Sequence, residues 1–337
     1  MEYTLYHLWK TLGRLVLGCC LLQGVAITAI AQKTEEHFNV GLTYPISSNG
    51  TRAGSCTNTF SLHAAVGLSA SEKGLSLAGV SNVILDSAMG LQIAGFSNHI
   101  RNSAAGIQIA GFMNLTGSST GVNVAGFGNL SRRNSSGLQV AGFINKAANA
   151  GTQVAGFINI AKKVKGLQIA GLINIADSSD YPIGIINIIK SGEKSIVVST
   201  DETLTTLVAF RSGGRQLYGI AGIGYNNKGS RALAAWEAGV GWRLINWGSF
   251  RLSTELVSIG LTDFKNGDCF RSSLRVLPAL RLNRRMEIFA GPSFNYLHSH
   301  KGQGADLVSH YLWSDHKQDK EVQGLYFGFT GGVGINF

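Results

Sequence analysis

The chain has 337 residues, of which 45% are hydrophobic and 14% charged, and it contains 44 glycines and four prolines. This composition excludes a largely disordered protein, because the apolar residues suffice for a large core and the glycines recur in an ordered pattern. The formal net charge is +10. The cationic residues form no dense run, recognition helix or aromatic platform, so no nucleic acid is expected as a partner, and an anionic lipid or saccharide suits the charge better.

Residues 1–31 have the composition of a signal peptide, and we expect an exported protein. A cationic start precedes an apolar stretch, and Ala29-Ile30-Ala31 is a small-x-small site whose cleavage gives a mature chain beginning at Gln32. An uncleaved membrane helix is disfavoured, because Gln23 interrupts the stretch, which is shorter than the roughly 20 residues of a span. Lipidation at Cys19 is an alternative that the sequence leaves open.

Two cysteines, Cys56 and Cys269, remain once this segment is removed. Both lie in turn-like stretches, and the oxidising compartment of an exported protein permits a disulfide between them. Two unpaired thiols fit the sequence equally well. Neither cysteine has the spacing of a metal or redox motif.

Residues 32–73 are predicted to form N-terminal strands. Residues 74–190 carry a tandem repeat of the phrase Gly-Leu-Gln-Ile-Ala-Gly-Phe-x-Asn, with seven clear copies. A degenerate eighth copy at residues 182–187 keeps the Gly and Asn of the phrase but not its Gln, as a terminal repeat often does. Polar runs between copies predict turns, so each repeat is one strand unit and one turn. The phrase Gly-Leu-Gln-Ile-Ala-Gly-Phe-x-Asn occurs at intervals of 16, 16, 15, 16, 14 and 15 residues, beginning at Gly74, Gly90, Gly106, Gly121, Gly137, Gly151 and Gly166.

Two folds fit the repeats. In a parallel β-solenoid, the Gln and Asn of successive copies stack into ladders and the small Ala and Gly positions let the coils pack tightly. In the copy from Gly166, for example, Gln168 and Asn174 share one face, and Leu167 and Ile169 share the other. An antiparallel meander would give the identical phrase no shared role in alternate strands. The solenoid is therefore favoured, with a barrel meander as the alternative.

Residues 191–337 show a different pattern, with long segments in which apolar and polar residues alternate. The period of two predicts strands, and their length suits tilted strands that cross a membrane. The chain ends on Phe337, an apolar-face aromatic that resembles the C-terminal signal of outer-membrane barrels. A soluble sandwich or a ligand-binding barrel is the alternative. The segments lie near residues 195–200, 204–211, 215–225, 231–244, 249–260, 270–282, 285–297 and 323–337, with a further one at 38–45.

In the barrel interpretation, the face turned away from lipid carries more arginine than glutamate, so a net positive lumen is expected. A plugged interior held by ion pairs is favoured over an anion-preferring pore, because a barrel of about eight strands has little open space. Pro278 and Pro292 are expected to interrupt the hydrogen-bond ladders. The predicted lumen residues are Arg231, Arg243, Arg251, Arg271, Arg275, Arg281 and Arg285, with Glu237, Glu255 and Glu287.

The insertion before the last strand is rich in possible metal ligands, but no spacing in it fixes a geometry, so a solvated loop is favoured over a metal site. The chain also has no nucleophile elbow, phosphate loop or paired catalytic carboxylates. We predict no catalytic residue, cofactor or metal. The possible metal ligands in the insertion are His298, His300, Asp306, His310, Asp315, His316, Asp319 and Glu321.

The repeated phrase, with residues 38–47 before it and residues 187–190 and 207–213 after it, resembles a family of surface-repeat proteins of Gram-negative envelopes. The resemblance covers most of the mature chain and departs from the phrase at Leu172, which replaces Phe. It implies an outer-membrane or cell-surface location and brings no activity, so no functional residue is carried over.

The sequence therefore predicts an all-β fold, with tandem β repeats followed by an antiparallel barrel-type region. We expect a non-enzymatic outer-membrane or cell-surface protein whose repeats form a structural or interaction platform. Outer-membrane lipid is the expected partner, with a surface glycan or another envelope protein as a further one. The alternative is an outer-membrane channel that favours small anions.

Overall fold

The computed structural model describes residues 34–226, 228, 233–264, 268–299, 307–316 and 321–337. The predicted signal peptide, with Cys19, lies outside these residues. Residues Glu35–Phe337 form one compact unit. The described chain is almost entirely β, with one short 3-10 helix at Gly50–Ser55, which confirms the predicted all-β class.

The first sheet contains nineteen strands. They are β1 (Thr34–Glu35), β2 (Phe38–Thr43), β3 (Ile46–Ser47), β4 (Cys56–His63), β5 (Val66–Ser69), β6 (Ser71–Ala78), β7 (Ser81–Ile84), β8 (Ser87–Ala94), β9 (Ser97–Ala110), β10 (Met113–Ala125), β11 (Gly128–Ser131), β12 (Ser135–Ala141), β13 (Ile144–Lys146), β14 (Asn149–Ala155), β15 (Ile158–Ile160), β16 (Lys163–Ala170), β17 (Ile173–Ala176), β18 (Ser178–Ile183) and β19 (Ile186–Ile189).

The strands of this sheet wind into a parallel solenoid. Strand β6 pairs with β8 in parallel, β7 pairs with β9, and the same pairing continues to β16 with β18 and β17 with β19. Such parallel pairing between identical phrases confirms the solenoid and excludes the antiparallel meander. Residues 38–45 were predicted as a further barrel-type segment, and this is wrong, because β2 pairs in parallel with β4 inside the solenoid sheet.

The sequence predicted one strand unit and one turn per repeat, and this is wrong, because most coils have two strands and two turns, although β9 and β10 continue through the polar turn as single strands. The Gln strand carries Gly-Leu-Gln-Ile-Ala, the turn that follows carries Gly-Phe, and the short Asn strand comes next. A polar turn then leads to the next coil. Because the turns of one type stack, the solenoid has a Gly-Phe edge and a polar edge. The Gly-Phe edge consists of residues 79–80, 95–96, 111–112, 126–127, 142–143, 156–157, 171–172 and 184–185.

The interior of the solenoid contains a ladder of asparagine amides. Asn98 Nδ2 donates to Asn114 Oδ1 at 2.9 Å, and also to the Ile109 carbonyl at 2.9 Å, in the second half of the long strand β9. The ladder runs from Asn82 to Asn187 with amide-to-amide distances of 2.8–3.1 Å. The predicted ladders are therefore present, and the buried amides satisfy both each other and the backbone.

The second sheet contains nine strands, of which eight close into an antiparallel barrel. They are β20 (Lys194–Asp201), β21 (Thr205–Gly213), β22 (Leu217–Asn226), β23 (Leu233–Trp247), β24 (Phe250–Thr262), β25 (Asp268–Arg281), β26 (Met286–Ser299), β27 (Trp313–His316) and β28 (Val322–Asn336).

The barrel closes through antiparallel pairing of β20 with β28, for example Val198 opposite Val333. Strand β27 is an addition at the edge of β28 and takes no part in closure. The predicted interruption of a hydrogen-bond ladder by prolines is present in one strand pair. The pairing of β25 with β26 stops at Arg275 opposite Ser293 and resumes at Ala279 opposite Phe289, and Pro278 and Pro292 lie within that gap. Proline interrupts the ladder because it has no amide hydrogen to donate.

The two ends of the barrel differ. Residues 214–216, 248–249 and 282–285 connect strands at one end, which we call the short-turn rim. The opposite end, the long-loop rim, holds the longest connection, between β26 and β28. Chain entry at Lys194 and the C-terminal residue Phe337 lie at the short-turn rim, where the Phe337 amide donates to the Lys194 carbonyl at 3.1 Å.

The last coil of the solenoid docks on the outer wall of the barrel at the short-turn rim. The Asn187 backbone amide donates to Ser212 Oγ at 3.0 Å, and Asn187 Nδ2 donates to the Ser212 carbonyl at 3.2 Å. The Gly184 carbonyl lies so close to Gly219 that an added Cβ would be 2.1 Å from it. The asparagine ladder thus ends on a barrel strand.

Candidate functional site

The barrel lumen is the most highly charged part of the described structure. Arg275 Nη1 donates to Glu237 Oε1 at 2.7 Å, and Arg211 lies 2.8 Å from Glu255. Every one of these four side chains is buried. Charges that are buried in this way are stable only when they are paired.

A second group of ion pairs extends toward both rims. Arg251 contacts Glu287 at 3.1 Å and Glu193 at 2.8 Å near the short-turn rim. Arg271 pairs with Asp201 near the long-loop rim. The lumen is therefore lined by charge pairs along its length.

Side chains are packed closely in the lumen around Tyr218. Tyr218 Oη donates to Glu255 Oε1 at 2.8 Å, and the Arg243 guanidinium lies 4.5 Å from the centre of the Tyr218 ring. A cavity beside Tyr218, Arg243 and Arg251 is about 10 Å³, which is room for about one water molecule.

Some of the predicted lumen residues lie inside the barrel and others do not. Arg281 is half-buried at the rim, where it donates to Asn246 Oδ1 at 2.6 Å, Arg285 is exposed in a turn, and Arg231 lies outside the described residues. Arg211 and Asp201 were missed, although both lie at inward positions of alternating strands. With Asp201 and Glu193 included, the described lumen is not strongly positive, because its arginines face carboxylates. The predicted residues that do lie buried in the lumen are Arg243, Arg251, Arg271, Arg275, Glu237, Glu255 and Glu287.

The His-rich insertion does not assemble a metal centre in the part of it that the structure describes. His298 lies half-buried in β26, whereas His310, Asp315 and His316 are exposed. No group of three His, Cys, Asp or Glu side chains among the described residues could hold a metal ion. His300, Asp306 and Asp319 lie outside the described residues.

The two cysteines of the mature chain lie in different parts of the fold. Cys56 begins β4 in the solenoid, and Cys269 lies in β25 of the barrel. Both are buried and no disulfide joins them.

The outer wall of the barrel is apolar. Each barrel strand presents an exposed apolar side chain, with fractional exposures between 39% and 73%. A soluble sandwich would usually bury such side chains, whereas here they are exposed around a lumen that contains both ion pairs and an apolar cluster with Ile220 and Ile259. The exposed residues are Val198, Val208, Ile223, Trp242, Leu256, Leu274, Ile288 and Phe327.

The outer surface of the solenoid is also apolar. Leu and Ile of the phrase point outward from the Gln strands, as at Ile107 and Ile109, which are both exposed. The phenylalanines of the Gly-Phe edge stack, with Phe112 and Phe127 centroids 4.8 Å apart at an interplanar angle of 12°. Exposed apolar patches of this kind are typical of surfaces that contact another apolar phase or molecule.

A groove of about 780 Å³ runs along the Asn strands beside the polar edge. Its floor includes Leu115 and Leu130, and Arg101, Arg132 and Lys162 line it on the polar side. His99 also lines it, and burial lowers the pKa of this imidazole. The groove therefore combines an apolar floor with a cationic margin, which suits an amphiphile with an anionic head group.

Comparison with protein-family models, with curated proteins and with solved structures finds no match to this chain. Among the described residues, no helix has the length and apolar character to cross a bilayer.

Proposed function

We propose that this protein is a non-enzymatic outer-membrane protein of a Gram-negative envelope, in which the barrel is a closed anchor and the solenoid is a structural or interaction platform. The signal peptide at residues 1–31 would direct its export. Outer-membrane lipid is the first partner under this proposal, and an envelope glycan or another envelope protein is a further partner for the platform.

The observation that carries the proposal is an apolar outer wall around a closed lumen that contains buried ion pairs. Charged side chains such as Arg275 and Glu237 are buried inside, whereas Leu256 and Ile223 are exposed outside. Lipid is the solvent in which an apolar outer wall is stable, and a closed barrel satisfies its backbone hydrogen bonds without water.

Aromatic residues near both rims support the same proposal. Such residues flank the apolar band of outer-membrane barrels, where their rings lie at the level of the lipid head groups. Near the short-turn rim these exposed residues are Trp242, Trp247, Phe250 and Phe337, and near the long-loop rim they are Tyr225, Trp236, Phe270 and Tyr296.

A matched pair of substitutions tests the proposal. Leu256 lies on the outer wall and is 58% exposed, and Leu282, in a short turn, is 60% exposed. In water, Arg at either position would be harmless, but at mid-membrane it costs about 2–4 kcal/mol. We expect Leu256→Arg, and not Leu282→Arg, to lower folding stability in lipid vesicles, measured by urea titration of heat-modifiable gel migration. Equal stability of the two variants would overturn the proposal.

The alternative function is an anion channel, and the packed lumen argues against it. The pair of Arg275 with Glu237 and the stacked Arg243 and Tyr218 occupy the space that ions would need. We expect the folded protein to give no single-channel steps in planar bilayers. Steady, salt-dependent steps would favour the channel over the closed anchor.

A further inference from the structure

The Gly-Phe edge of the solenoid is made of turns whose side chains are apolar. Turns that face water usually contain Asn, Asp, Ser or Pro, but here Phe96, Phe112 and Phe143 are exposed. The backbone of this edge is paired between coils: the Phe112 amide donates to the Phe96 carbonyl at 2.8 Å, and the Phe127 amide to the Phe112 carbonyl at 2.9 Å. Such an edge can enter an apolar phase because its backbone groups do not depend on water.

Charge is concentrated at the opposite edge. Between residues 74 and 190, all of which the structure describes, every charged side chain lies at the polar edge, within the first residues of the Gln strand that follows it or, for Lys146, at the end of the Asn strand that precedes it. Cations outnumber anions there, which favours anionic lipid head groups. The residues are Arg101, Arg132, Arg133, Lys146, Lys162, Lys163, Lys165 and Lys190, with Asp86, Asp177 and Asp180.

The distance between the two edges matches the depth of one leaflet. The Gln strand from Lys165 to Ala170 links the polar edge to the Gly-Phe edge, and five steps at about 3.3 Å each give about 17 Å. Half of a hydrocarbon core is about 15 Å. Most outward side chains between the edges are apolar, with exceptions such as His99 and Thr152, so the cross-section of the solenoid is that of a plate with one hydrophilic side.

The solenoid docks on the barrel with its charged edge near the barrel rim and its apolar edge beside the barrel wall. The carbonyls of Ser179 and Asp180, at the polar edge, lie against Gly214 in a short turn of the barrel rim. The carbonyls of Gly184 and Ile185, at the Gly-Phe edge, lie against Gly219, farther along the barrel wall toward its middle. The charged edge is therefore level with the rim, and the apolar edge is level with the apolar wall.

We propose that the solenoid is inserted edge-on into the phospholipid leaflet at the short-turn rim, with its cationic turns at the phosphate level and its phenylalanine turns toward the middle of the bilayer. This inference rests on the proposed membrane location of the barrel. Because short turns of such barrels face the periplasm, the leaflet is the periplasmic one. The groove beside Arg132 and Lys162 then holds a lipid whose phosphate contacts the cations.

Spin labels at three positions test the depth of the plate. In a background with Cys56→Ala and Cys269→Ala, single nitroxides are attached through Phe127→Cys at the Gly-Phe edge, Asn134→Cys at the polar edge and Leu256→Cys on the barrel wall. The proteins are folded into phosphatidylethanolamine and phosphatidylglycerol vesicles. Collision rates with oxygen, which enters lipid, and with a nickel chelate, which stays in water, are then compared. Heat-modifiable migration verifies that each variant is folded, and Phe143→Cys replaces Phe127→Cys if the latter does not fold.

We expect the oxygen-to-nickel ratio at position 127 to equal that at position 256 and to exceed that at position 134 several-fold. A label at 127 that meets nickel as often as the label at 134, while 256 remains in lipid, overturns the edge-on insertion and leaves the barrel proposal standing. A label at 256 that meets nickel freely overturns the proposed function itself.

Discussion

At the scale of the residue, side-chain amides hold the solenoid interior together in two ladders of opposite direction. Each Asn donates to the Asn of the next coil, as Asn98 does to Asn114, whereas Gln108 Nε2 donates to Gln92 Oε1 of the preceding coil at 2.9 Å. A slip of one residue in any coil would bury Leu or Ile and expose Gln. The ladders therefore fix the register of the sheet as well as satisfying its buried polar groups.

The glutamine ladder is broken at Asn123, whose side chain is one methylene shorter. Asn123 Nδ2 turns aside to Ser119 Oγ at 2.8 Å, and Gln108 Oε1 and Asn123 Oδ1 have no hydrogen-bond partner. Asn123→Gln would let the amide reach Gln108, and the next coil accommodates Gln139 beside Ser135 in the same way. We expect a gain of about 1–2 kcal/mol from the restored hydrogen bonds, measured by thermal unfolding in detergent.

The matched control shortens an intact step of the same ladder. Gln153 donates to Gln139 at 2.9 Å and accepts from Gln168 at 3.2 Å. Gln153→Asn should therefore lower stability where Asn123→Gln raises it. If both substitutions destabilise the protein, the gap at Asn123 is a packing requirement and not a missing rung.

The buried carboxyl of Glu72 makes the N-terminal coils sensitive to pH. Burial raises the pKa of Glu72, whose Oε1 accepts hydrogen bonds from Asn58 at 3.1 Å and Ser61 at 2.8 Å. Because the folded pKa exceeds the unfolded one, the contribution of this group is complete below the unfolded pKa and is lost as the pH rises through the folded pKa. Glu72→Gln should gain stability relative to wild type as the pH rises from about 4 to about 8, measured as unfolding temperature.

An exposed glutamate serves as the control for that experiment. The hydrogen bond and the charge of Lys73 lower the pKa of Glu35, so the contribution of Glu35 appears above its unfolded pKa and is lost as the pH falls. Glu35→Gln should therefore change relative stability in the opposite direction. A constant difference between Glu72→Gln and wild type across the pH range would contradict the assignment.

At the scale of the element, the second glycine of the phrase sets how closely the coils stack. A Cβ added at Gly126 would lie 2.1 Å from the Gly111 carbonyl oxygen, so backbone and not a flexible side chain would have to move. We expect Gly126→Ala to cost about 3 kcal/mol or more, because overpacking against backbone has no cheap relief. At Gly54 an added Cβ would meet its nearest atom, Leu85 Cδ1, at 3.4 Å. Gly54→Ala should be tolerated in the same thermal unfolding measurement.

The repeats and the barrel strands could be predicted from the sequence because both have a strict period. The face assignments of Gln168 and Asn174 followed from alternation, and their ladders followed from the identity of the copies. Alternation alone could not distinguish residues 38–45 from a barrel strand, because apolar and polar side chains alternate in a solenoid strand as well. It could not match Arg271 to Asp201 either, because that pair joins strands that are distant in the chain.

In the whole molecule, the solenoid and the barrel both bury polar groups and expose apolar side chains, although the barrel lumen also contains an apolar cluster that includes Ile220 and Ile259. In the solenoid the polar groups are amides such as Asn129, and in the barrel they are ion pairs such as Arg275 with Glu237. Hydrogen bonds and ion pairs within each interior hold most of these polar groups, and the exteriors carry Phe, Leu and Ile. The same apolar solvent therefore suits both parts. Edge-on insertion thus needs only the lipid bilayer that is already proposed for the barrel.

The seam between the two parts should determine whether they unfold together. Asn187 closes the asparagine ladder and donates from its backbone and side chain to Ser212 of the barrel, at 3.0 and 3.2 Å. Asn187→Leu keeps the approximate volume but removes the amide that joins the ladder to the barrel, leaving the buried Ser212 carbonyl without this donor. We expect the single unfolding transition to split in two and trypsin to cleave faster at Lys190 and Lys194, separating a solenoid fragment from a barrel fragment on a gel. Ile188→Ala, on the exposed outer face of the same strand, should leave one transition and the wild-type cleavage rate, and a split transition in that variant as well would mean that packing and not the amide joins the two parts.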